Sequence, residues 1–374
     1  MEFDFIVIGA GISGAAAAYA LADRGRVLLL EAETQPGYHS TGRAAALFTP
    51  NYGNAAVRRL IAAARPFFMA PPAGFPRPLL TPRGGIAIAG PAARTAFEER
   101  LALGAADGSI RAIAPDDAVA AVPILRREPI AFACREPDIL DIDVAALHQG
   151  FLRGFAARGG TLACGAPATG IERRAGRWRV ATPEGDHDAT AIVNAAGAWA
   201  ERVADLAGLP GIGLVPKRRT VIVVDTPTAA RPQDWPAVDQ IENDAYLKPE
   251  TGRILASPGD ATPCEPGDAQ PEEIDVALAA DWLERATTLT VRHIGRRWAG
   301  LRCFVADDTP AIGPDPAAEG FFWLAGQGGY GIMMAPILAE AIAGLVTAGV
   351  LPESLAAAGI DAAALGVERL PRTG

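Results

Sequence analysis

The N-terminal residues contain a strand, a glycine-rich turn and a helix in immediate succession. Residues 3–8 predict a buried strand, the turn Gly9-Ala10-Gly11-Ile12-Ser13-Gly14 follows, and residues 15–22 continue as a helix. Glycines at this spacing permit a tight turn, close approach of the backbone to a pyrophosphate and close helix packing. The pattern therefore predicts a nucleotide site in which the helix N-terminus is directed at the phosphates.

Glu31 supports this prediction. A second strand is predicted over residues 27–30, and Glu31 stands at its end. It follows the turn by about twenty residues, the spacing at which a carboxylate accepts hydrogen bonds from a ribose. Strand, helix and carboxylate together predict an adenosine-containing dinucleotide.

The composition limits the class of protein. A chain of 374 residues, 50% of them hydrophobic, is long enough for two domains or one large composite. Its net charge of −9 argues against a nucleic-acid partner or an anionic membrane surface. The first strand begins almost at the N-terminus, and we expect no apolar run that spans a bilayer, so the chain is predicted to be a cytoplasmic enzyme without signal peptide or transmembrane segment.

The cysteines and histidines are not spaced like metal ligands. Cys134, Cys164, Cys264 and Cys303 form no CxxC pattern, and the four histidines form no HxxxH or HExxH pattern. We expect free thiols and no metal centre.

A second glycine turn lies near the other end of the chain. An apolar strand over residues 321–325 leads into Gly326-Gln327-Gly328-Gly329-Tyr330-Gly331, and a helix is predicted over 332–347. A nicotinamide dehydrogenase needs one such turn, whereas a reduced flavin gains negative charge near N1 and the C2 carbonyl, which a helix N-terminus can stabilise. The second turn therefore favours FAD; the alternative is a structural turn before an ordinary helix.

The middle of the chain predicts a different unit. Helices are predicted over residues 55–68, 144–157 and 272–289, and strands over residues 84–88, 161–164, 168–173, 178–181, 191–194, 214–224, 245–248 and 300–305. Because the first and last segments share one architecture, we expect two discontinuous domains.

Taken together, the chain resembles the FAD-dependent D-amino-acid oxidase superfamily, in its glycine oxidase and sarcosine oxidase group, and more closely still the bacterial D-arginine-type D-amino-acid dehydrogenases. The motifs that carry the resemblance are GAGISG at 9–14, GYHSTGR at 37–43, DVAALHQG at 143–150, VNAAGAW at 193–199, PKRR at 216–219, YLKP at 246–249, WAGLR at 298–302 and QGGYGI at 327–332.

The resemblance implies an α/β fold with two domains. The FAD-binding domain would be of the doubly wound, Rossmann-like, glutathione-reductase type and comprise residues 1–82, 141–212 and 303–374. The substrate-binding domain would be α+β, with a large mixed or antiparallel sheet that covers the flavin, and comprise residues 83–140 and 213–302.

The resemblance also implies which residues hold FAD. They are Gly9, Gly11, Ile12, Ser13, Gly14, Glu31, Ala32, Ser40, Thr41, Arg43, Ala44, Ala45, Ala196, Gly197, Trp199, Gly328, Tyr330, Gly331 and Ile332. We expect non-covalent FAD; covalent attachment through Cys303, as in sarcosine-oxidase relatives, is the alternative.

A substrate carboxylate requires a fixed cationic partner, and arginine provides one because its fork binds a carboxylate through two hydrogen bonds. By resemblance, Arg219 and Arg302 hold the carboxylate, Tyr52 and Tyr246 add phenolic hydrogen bonds, and the Gly329 carbonyl accepts from the substrate amine. From the residues alone, the alternative for Arg302 is a structural salt bridge, and the alternative for Arg219 is a place in a solvated basic face.

This set predicts oxidative deamination of free D-amino acids. A hydride would leave Cα for flavin N5 without a side-chain base, and water would hydrolyse the imine to a 2-oxo acid and ammonia. The alternatives are oxidation of glycine or N-alkyl amino acids, oxidation of 2-hydroxy acids, and a flavin subunit that only passes electrons within a complex.

Two positions depart from the D-arginine-type pattern. Leu47 stands where those relatives carry a histidine, and Gly85 where they carry a glutamate that pairs with a cationic side chain. Both changes remove polarity, so we expect apolar or small side chains to be favoured over D-Arg and D-Lys. The electron acceptor (oxygen, a quinone or a carrier protein) stays open, a monomer is expected, and residues 49–53 and 236–244 are candidate lids.

Overall fold

The N-terminal unit has the predicted order of elements. The computed structural model describes residues 2–226 and 231–373. Strand β1 (Phe5–Ile8), helix α1 (Ile12–Leu21) and strand β2 (Val27–Leu30) follow one another, and the two strands pair in parallel. Gly9 lies between β1 and α1 with φ 100°, and a Cβ there would come within 2.6 Å of the Ala195 carbonyl oxygen. Only glycine fits this turn without strain.

The remaining elements alternate along the chain. The other helices are α2 (Ala55–Met69), α3 (Arg94–Leu103), α4 (Pro115–Ala121), α5 (Val144–Ala157), α6 (Ala200–Leu206), α7 (Glu273–Ala286), α8 (Gly331–Ala348), α9 (Glu353–Ala357) and α10 (Ala362–Leu365). The other strands are β3 (Leu47–Phe48), β4 (Leu80–Pro82), β5 (Gly85–Ala89), β6 (Arg111–Ile113), β7 (Phe132–Glu136), β8 (Leu140–Ile142), β9 (Thr161–Ala163), β10 (Gly170–Arg174), β11 (Arg177–Thr182), β12 (Gly185–Ala189), β13 (Ala191–Asn194), β14 (Val215–Val224), β15 (Ala237–Gln240), β16 (Tyr246–Glu250), β17 (Arg253–Ser257), β18 (Thr262–Pro263), β19 (Ile294–Phe304), β20 (Ala311–Asp315) and β21 (Ala318–Ala325).

The first large sheet has the order β20-β21-β13-β1-β2-β9, and all its pairs are parallel except the edge pair β20–β21. One face packs on α1, α5 and α8, through side chains such as Val7 and Leu29. The other face, which includes Ile6 and Leu28, packs on the small sheet β10-β11-β12 and on α6. Burial on both faces explains the almost continuous apolar strands.

The second large sheet has the order β18-β14-β17-β16-β15-β5-β7-β6, with β19 paired to β14. Its pairs are antiparallel except β15–β5, so the sheet is mixed. One face forms a core with α4 and α7, which includes Ile222 and Trp282. The opposite face, which carries Arg219 and Tyr246, is directed at the cleft described below. These two sheets confirm the predicted α/β fold class.

The strands divide between the predicted segments. Those of the six-stranded sheet lie within residues 1–82, 141–212 and 303–374, and those of the nine-stranded sheet lie within 83–140 and 213–302, except that β19 continues to Phe304. The exact domain boundaries stay a prediction.

The sequence reasoning missed several strands and misplaced some ends. β20 was not predicted because it contains Gly313 and Pro314, which are typical of turns; proline is tolerated there because β20 is an edge strand. β15 and β17 are short and were also missed. β19 begins at Ile294, before its predicted start, and α7 ends at Ala286 rather than at 289.

Helix α8 corrects one expectation about hydrophobic length. It has 18 residues with a mean hydropathy of 1.8, which is long and apolar enough to cross a membrane, although 61% of it is buried inside the protein. The expectation that no apolar run reaches this length was therefore too strong. Contacts with α1 and α2 are typical of a core helix.

Candidate active site and cofactor cleft

A cleft of about 850 Å³ lies between the six-stranded sheet and the open face of the nine-stranded sheet. It brings together most of the predicted site residues from both ends of the chain. Those that line it are Gly9, Gly11, Ile12, Ser13, Glu31, Ala32, Ser40, Thr41, Arg43, Ala44, Ala45, Leu47, Tyr52, Ala196, Gly197, Trp199, Arg219, Tyr246, Arg302, Gly328, Gly329, Gly331 and Ile332. Gly14, Gly85 and Tyr330 are not among the lining residues.

The N-terminus of α1 opens into the cleft. Gly11 is its N-cap and provides no side-chain cap, so the positive end of the helix dipole stays available for an anion. The Thr41 hydroxyl accepts a hydrogen bond from the Ile12 N–H at 2.9 Å. Gly14 lies behind this turn, where a Cβ would overlap the Gly9 carbonyl oxygen. Its contribution is the close packing of helix on turn rather than contact with the cleft.

Glu31 is held rigidly at the end of β2. One carboxylate oxygen accepts from the Ala10 N–H at 2.8 Å and the other from the Glu33 N–H at 3.0 Å. The residue is buried apart from its contact with the cleft. Its position fits the predicted role toward a ribose.

The loop after β2 is fixed to the second sheet. The Ser40 hydroxyl donates to the Leu301 carbonyl at 2.7 Å, and the Arg43 guanidinium donates to the Ala299 carbonyl at 3.1 Å and pairs with Asp268. These contacts hold the loop across the cleft, so that one wall comes from each sheet.

The second glycine turn meets the first across the cleft. The Gly328 N–H donates to the Cys303 carbonyl at 2.8 Å, and α8 then begins at Gly331 without a side-chain cap. The Gln327 side chain accepts from the Ser13 hydroxyl, but its own Nε2 is buried without a partner among the residues that the structure describes. Because buried polar groups are nearly always paired, this amide indicates a polar ligand. Sequence reasoning missed Gln327, although it lies inside the quoted motif.

Tyr330 lies behind this turn. Its hydroxyl donates to the Asp308 carbonyl at 2.6 Å and its ring contacts Tyr52 edge-on at 5.7 Å. Its side chain therefore supports Tyr52 from outside the cleft.

The two predicted carboxylate-binding arginines lie on neighbouring strands. β14 and β19 are antiparallel, with Lys217 opposite Arg302 and Arg219 opposite Gly300, so both arginines lie on the face toward the cleft. Arg219 is only 8% exposed, which excludes a solvated face. Neither guanidinium forms an ion pair within the part of the chain that the structure describes, so Arg302 is not in a structural salt bridge.

Two unpaired guanidiniums in one buried site are electrostatically unfavourable. Burial and the charge of Arg302 lower the pKa of Arg219, whose Nε has no hydrogen-bond partner in residues 2–226 and 231–373. The Arg302 guanidinium donates to the Tyr52 hydroxyl at 3.3 Å, and the buried Tyr246 hydroxyl has no partner in the described part of the chain. A bound anion would supply the missing acceptor.

Gly329 lies against this pair. A Cβ at Gly329 would come within 3.0 Å of the Arg302 Cζ, so the glycine lets the backbone of the second turn approach the guanidinium. The predicted acceptor for the substrate amine is thus adjacent to the predicted carboxylate site.

The side chains around Leu47 and Gly85 explain the predicted loss of polarity. Leu47 lines the cleft, whereas Gly85 does not, because Ile139 occupies the space that a side chain at position 85 would fill. Ile139 itself lines the cleft. The apolar character predicted here is therefore supplied by Leu47 and Ile139, and the latter was not found from the sequence.

Sequence reasoning also missed charged residues of the cleft. Asp239 on β15 and Arg100 on α3 both line it. Arg100 pairs with the buried Glu136, from Nε at 2.7 Å. Glu136 lies opposite Gly85 in the register of β5 and β7. The loss of polarity is therefore only partial.

Comparison with known proteins establishes the family. The family model for FAD-dependent oxidoreductases matches residues 4–345, and the chain therefore belongs to this family. The cleft fits FAD, since it offers two helix N-termini whose N-cap residues give no side-chain hydrogen bond, the oriented Glu31, and a Gln327 amide without a partner among the described residues. FAD is the cofactor, and the residues that would hold it are those of the two glycine turns with Glu31 and Thr41.

Curated relatives match only in part. Mouse (Mus musculus) mitochondrial dimethylglycine dehydrogenase is 28% identical over 233 residues, which are 57% of this chain and 27% of the mouse protein. The FAD-dependent oxidoreductase domain-containing protein 1 of Xenopus laevis is 30% identical over 177 residues, 42% of this chain and 35% of that protein. The chain thus corresponds to a minor part of the length of these relatives.

Solved structures share the fold over nearly the whole chain. L-proline dehydrogenase from P. horikoshii has a TM-score of 0.80 at 23% identity and covers 93% of this chain and 94% of its own. Glycine oxidase from Geobacillus kaustophilus has a TM-score of 0.80 at 22% identity, and the match covers 92% of this chain and 94% of the oxidase. FAD-bound L-α-glycerophosphate oxidase from Mycoplasma pneumoniae has a TM-score of 0.83 at 16% identity, and the match covers 92% of this chain and 95% of that oxidase. At these identities the likeness shows the fold.

Proposed function

We propose that this chain oxidises free D-amino acids by removal of a hydride, one proton with two electrons, from Cα of the neutral amine. The observation that carries the proposal is the buried pair Arg219 and Arg302, which has no anionic partner among the described residues. A substrate carboxylate would neutralise part of this charge and accept the donors left free. The choice of an amino acid with D configuration rests on the resemblance in the sequence.

The chain's own residues would position the substrate. Arg219 and Arg302 would hold the carboxylate, Tyr246 would donate its unpartnered hydroxyl, and the Gly329 carbonyl would accept from the amine. FAD, when bound, supplies the hydride acceptor. Positioning of this kind can supply several kcal/mol of the barrier reduction without a side-chain base. Hydrolysis of the released imine would give a 2-oxo acid and ammonia.

We further propose that FAD is bound without a covalent link. Burial raises the pKa of the Cys303 thiol to about 12. A thiolate is the nucleophilic form, so the neutral thiol is poorly suited to attack a cofactor. Acid precipitation should leave the yellow colour in the supernatant; colour retained in the pellet would contradict this.

Oxidation of an N-alkyl amino acid is the second candidate. The partial match to dimethylglycine dehydrogenase favours it, because the same carboxylate clamp would serve such a substrate. Release of ammonia would separate the first candidate from this one, which would release an amine.

The test is anaerobic reduction of the bound flavin, which is monitored by the loss of flavin absorbance. The panel contains apolar D-amino acids, their L forms, glycine, sarcosine, D-proline and 2-hydroxy acids. Reduction by apolar D-amino acids supports the proposal, and admitting air then tells an oxidase from a dehydrogenase. Reduction only by sarcosine-like compounds moves the assignment to the second candidate, and reduction by 2-hydroxy acids alone rejects both.

A further inference from the structure

Asp239 is a carboxylate on the substrate side of the cleft that the proposed chemistry does not use. In the register of the sheet it lies opposite Tyr246 on β16 and beside Ala87 on β5. Cross-strand neighbours point to the same face, and their Cβ atoms lie about 5 Å apart. Asp239 therefore lies on the face that carries Tyr246 and lines the same cleft.

Two charged neighbours of Asp239, Arg100 and Glu136, form an ion pair with each other. The Arg100 guanidinium is bound to Glu136, whose other oxygen accepts from the Asn51 amide at 3.2 Å. No side chain in residues 2–226 and 231–373 forms a hydrogen bond or ion pair with the Asp239 carboxylate. Asp239 therefore interacts with the nearby Arg100 through charge alone, and its carboxylate can still accept a side-chain hydrogen bond from a ligand.

The groups that face Asp239 shift its pKa in opposite directions. Burial raises the pKa of Asp239 to about 6, Arg100 opposes the rise, and Glu136 and Asp244 add to it. The Cys134 thiol, on β7, faces it as well, and burial raises the pKa of that thiol to about 12, so it stays neutral. The ionised Asp239 carboxylate is thus an acceptor that no side chain in residues 2–226 and 231–373 hydrogen-bonds.

We propose that Asp239 forms a polar subsite that accepts a hydrogen bond from the end of the substrate side chain, and so favours side chains that end in an N–H or O–H donor. This inference rests on the proposed function, because Arg219 and Arg302 fix the carboxylate from which the side chain extends. It refines the predicted preference: Leu47 and Ile139 contact an apolar stem, while the tip of the side chain meets a carboxylate.

The test compares two substrates of nearly equal shape, D-asparagine and D-leucine. The measured quantity is kcat/KM for D-asparagine divided by kcat/KM for D-leucine. It is determined in the wild type, in Asp239→Leu and in Asp239→Asn. We expect the ratio to fall about tenfold or more in Asp239→Leu, because the amide would lose its buried acceptor, and less in Asp239→Asn, which keeps a carbonyl. The control is Asp281→Asn, an exposed aspartate on α7, for which the ratio should stay at the wild-type value.

Two results would overturn the subsite. An unchanged ratio in Asp239→Leu would mean that the side chain does not reach Asp239. Equal losses for both substrates, with a shifted pH profile, would assign Asp239 to the α-amine or to proton transfer instead.

A binding measurement separates failure of this inference from failure of the proposed function. The flavin absorbance change is titrated with 2-oxosuccinamate and 4-methyl-2-oxopentanoate, which have the carbon skeletons of the two substrates but cannot be oxidised at Cα. If no amino acid reduces the flavin, a preference for 2-oxosuccinamate that Asp239→Leu abolishes would still support the subsite. Equal binding of the two acids by the wild type would overturn it.

Discussion

The nucleotide end and the substrate end of the cleft satisfy their polar groups in opposite ways. At the nucleotide end, Glu31 and Thr41 are fixed by hydrogen bonds from backbone N–H groups, and the Gln327 Nε2 there lacks a partner among the described residues. At the substrate end, the Arg219 Nε and the Tyr246 hydroxyl have no hydrogen-bond partner among the described residues, and Asp239 forms no ion pair with them. The first end is built as a rigid part of the fold, whereas the second holds unfavourable electrostatics that a ligand can relieve.

The comparison predicts different consequences of mutation. A change at the nucleotide end should reduce stability and FAD content together. A change at the substrate end should reduce activity without reducing stability, since unpaired buried charges destabilise the folded protein. Active sites often show this trade-off, in which groups that function requires lower the stability of the folded protein.

The largest effect is expected for Arg302→Met. Losing one half of the carboxylate site should reduce kcat/KM for the best substrate about a thousandfold. The melting temperature of the ligand-free holoenzyme should stay equal or rise, because one of two like charges is gone. Arg297→Met is the control, since Arg297 lies on the same strand, is exposed and pairs with Glu273. Loss of FAD together with activity in Arg302→Met would contradict the comparison.

Gly9→Ala should have the next largest effect, at the nucleotide end. The new Cβ would meet the Ala195 carbonyl at 2.6 Å while φ stays at 100°, so we expect about 3 kcal/mol or more of lost stability and a parallel loss of FAD. Thermal unfolding and the ratio of flavin to protein absorbance are the measurements. Gly176→Ala separates the two causes, because Gly176 has φ 79° in open space and should lose only about 1 kcal/mol.

Asp239→Asn should stabilise the protein in a pH-dependent way. The pKa of Asp239 is raised to about 6 in the folded protein, so the folded state binds more protons than the unfolded state between about pH 4 and 6, and stability falls as the pH rises through that window. Removing the charge should raise the free energy of unfolding by about 1–3 kcal/mol at pH 7.5 and leave it almost unchanged at pH 4. A variant whose melting temperature gains equally at both pH values would show that ionisation of Asp239 is not responsible.

Tyr246→Phe should have the smallest effect. It removes one hydroxyl that has no protein partner, so stability should be unchanged or slightly higher. We expect kcat/KM to fall about tenfold through the lost hydrogen bond to the carboxylate, which corresponds to about 1.4 kcal/mol. An unchanged kcat/KM for every substrate would remove Tyr246 from the carboxylate site.

The parts of the fold that the sequence predicted well are local. Helix α5 matches its predicted bounds because the apolar residues recur at helical spacing and Asp143 caps the first turn. Strand β20 was missed because its glycine and proline resemble a turn until a neighbouring strand pairs with it. Only its edge position in the sheet makes it a strand.

The site divides in the same way. Gly9, Glu31 and the second glycine turn were found because their chemistry depends on backbone geometry over a few consecutive residues. Arg219 and Arg302 came from the resemblance, and their lack of partners could not be known before β14 and β19 were placed side by side. Asp239, Ile139 and Gln327 gave no sequence signal of their own.

The sequence by itself determined the cofactor class, because a glycine turn, a helix N-terminus and a following carboxylate bind a dinucleotide through contacts that lie close together in the chain. Tertiary structure alone decided which charges stay unpaired in the cleft. The Arg100 guanidinium forms its ion pair with Glu136, whereas Asp239 attracts Arg100 through charge but forms no ion pair among the described residues. That outcome depends on strand register and burial, which bring together residues far apart in sequence.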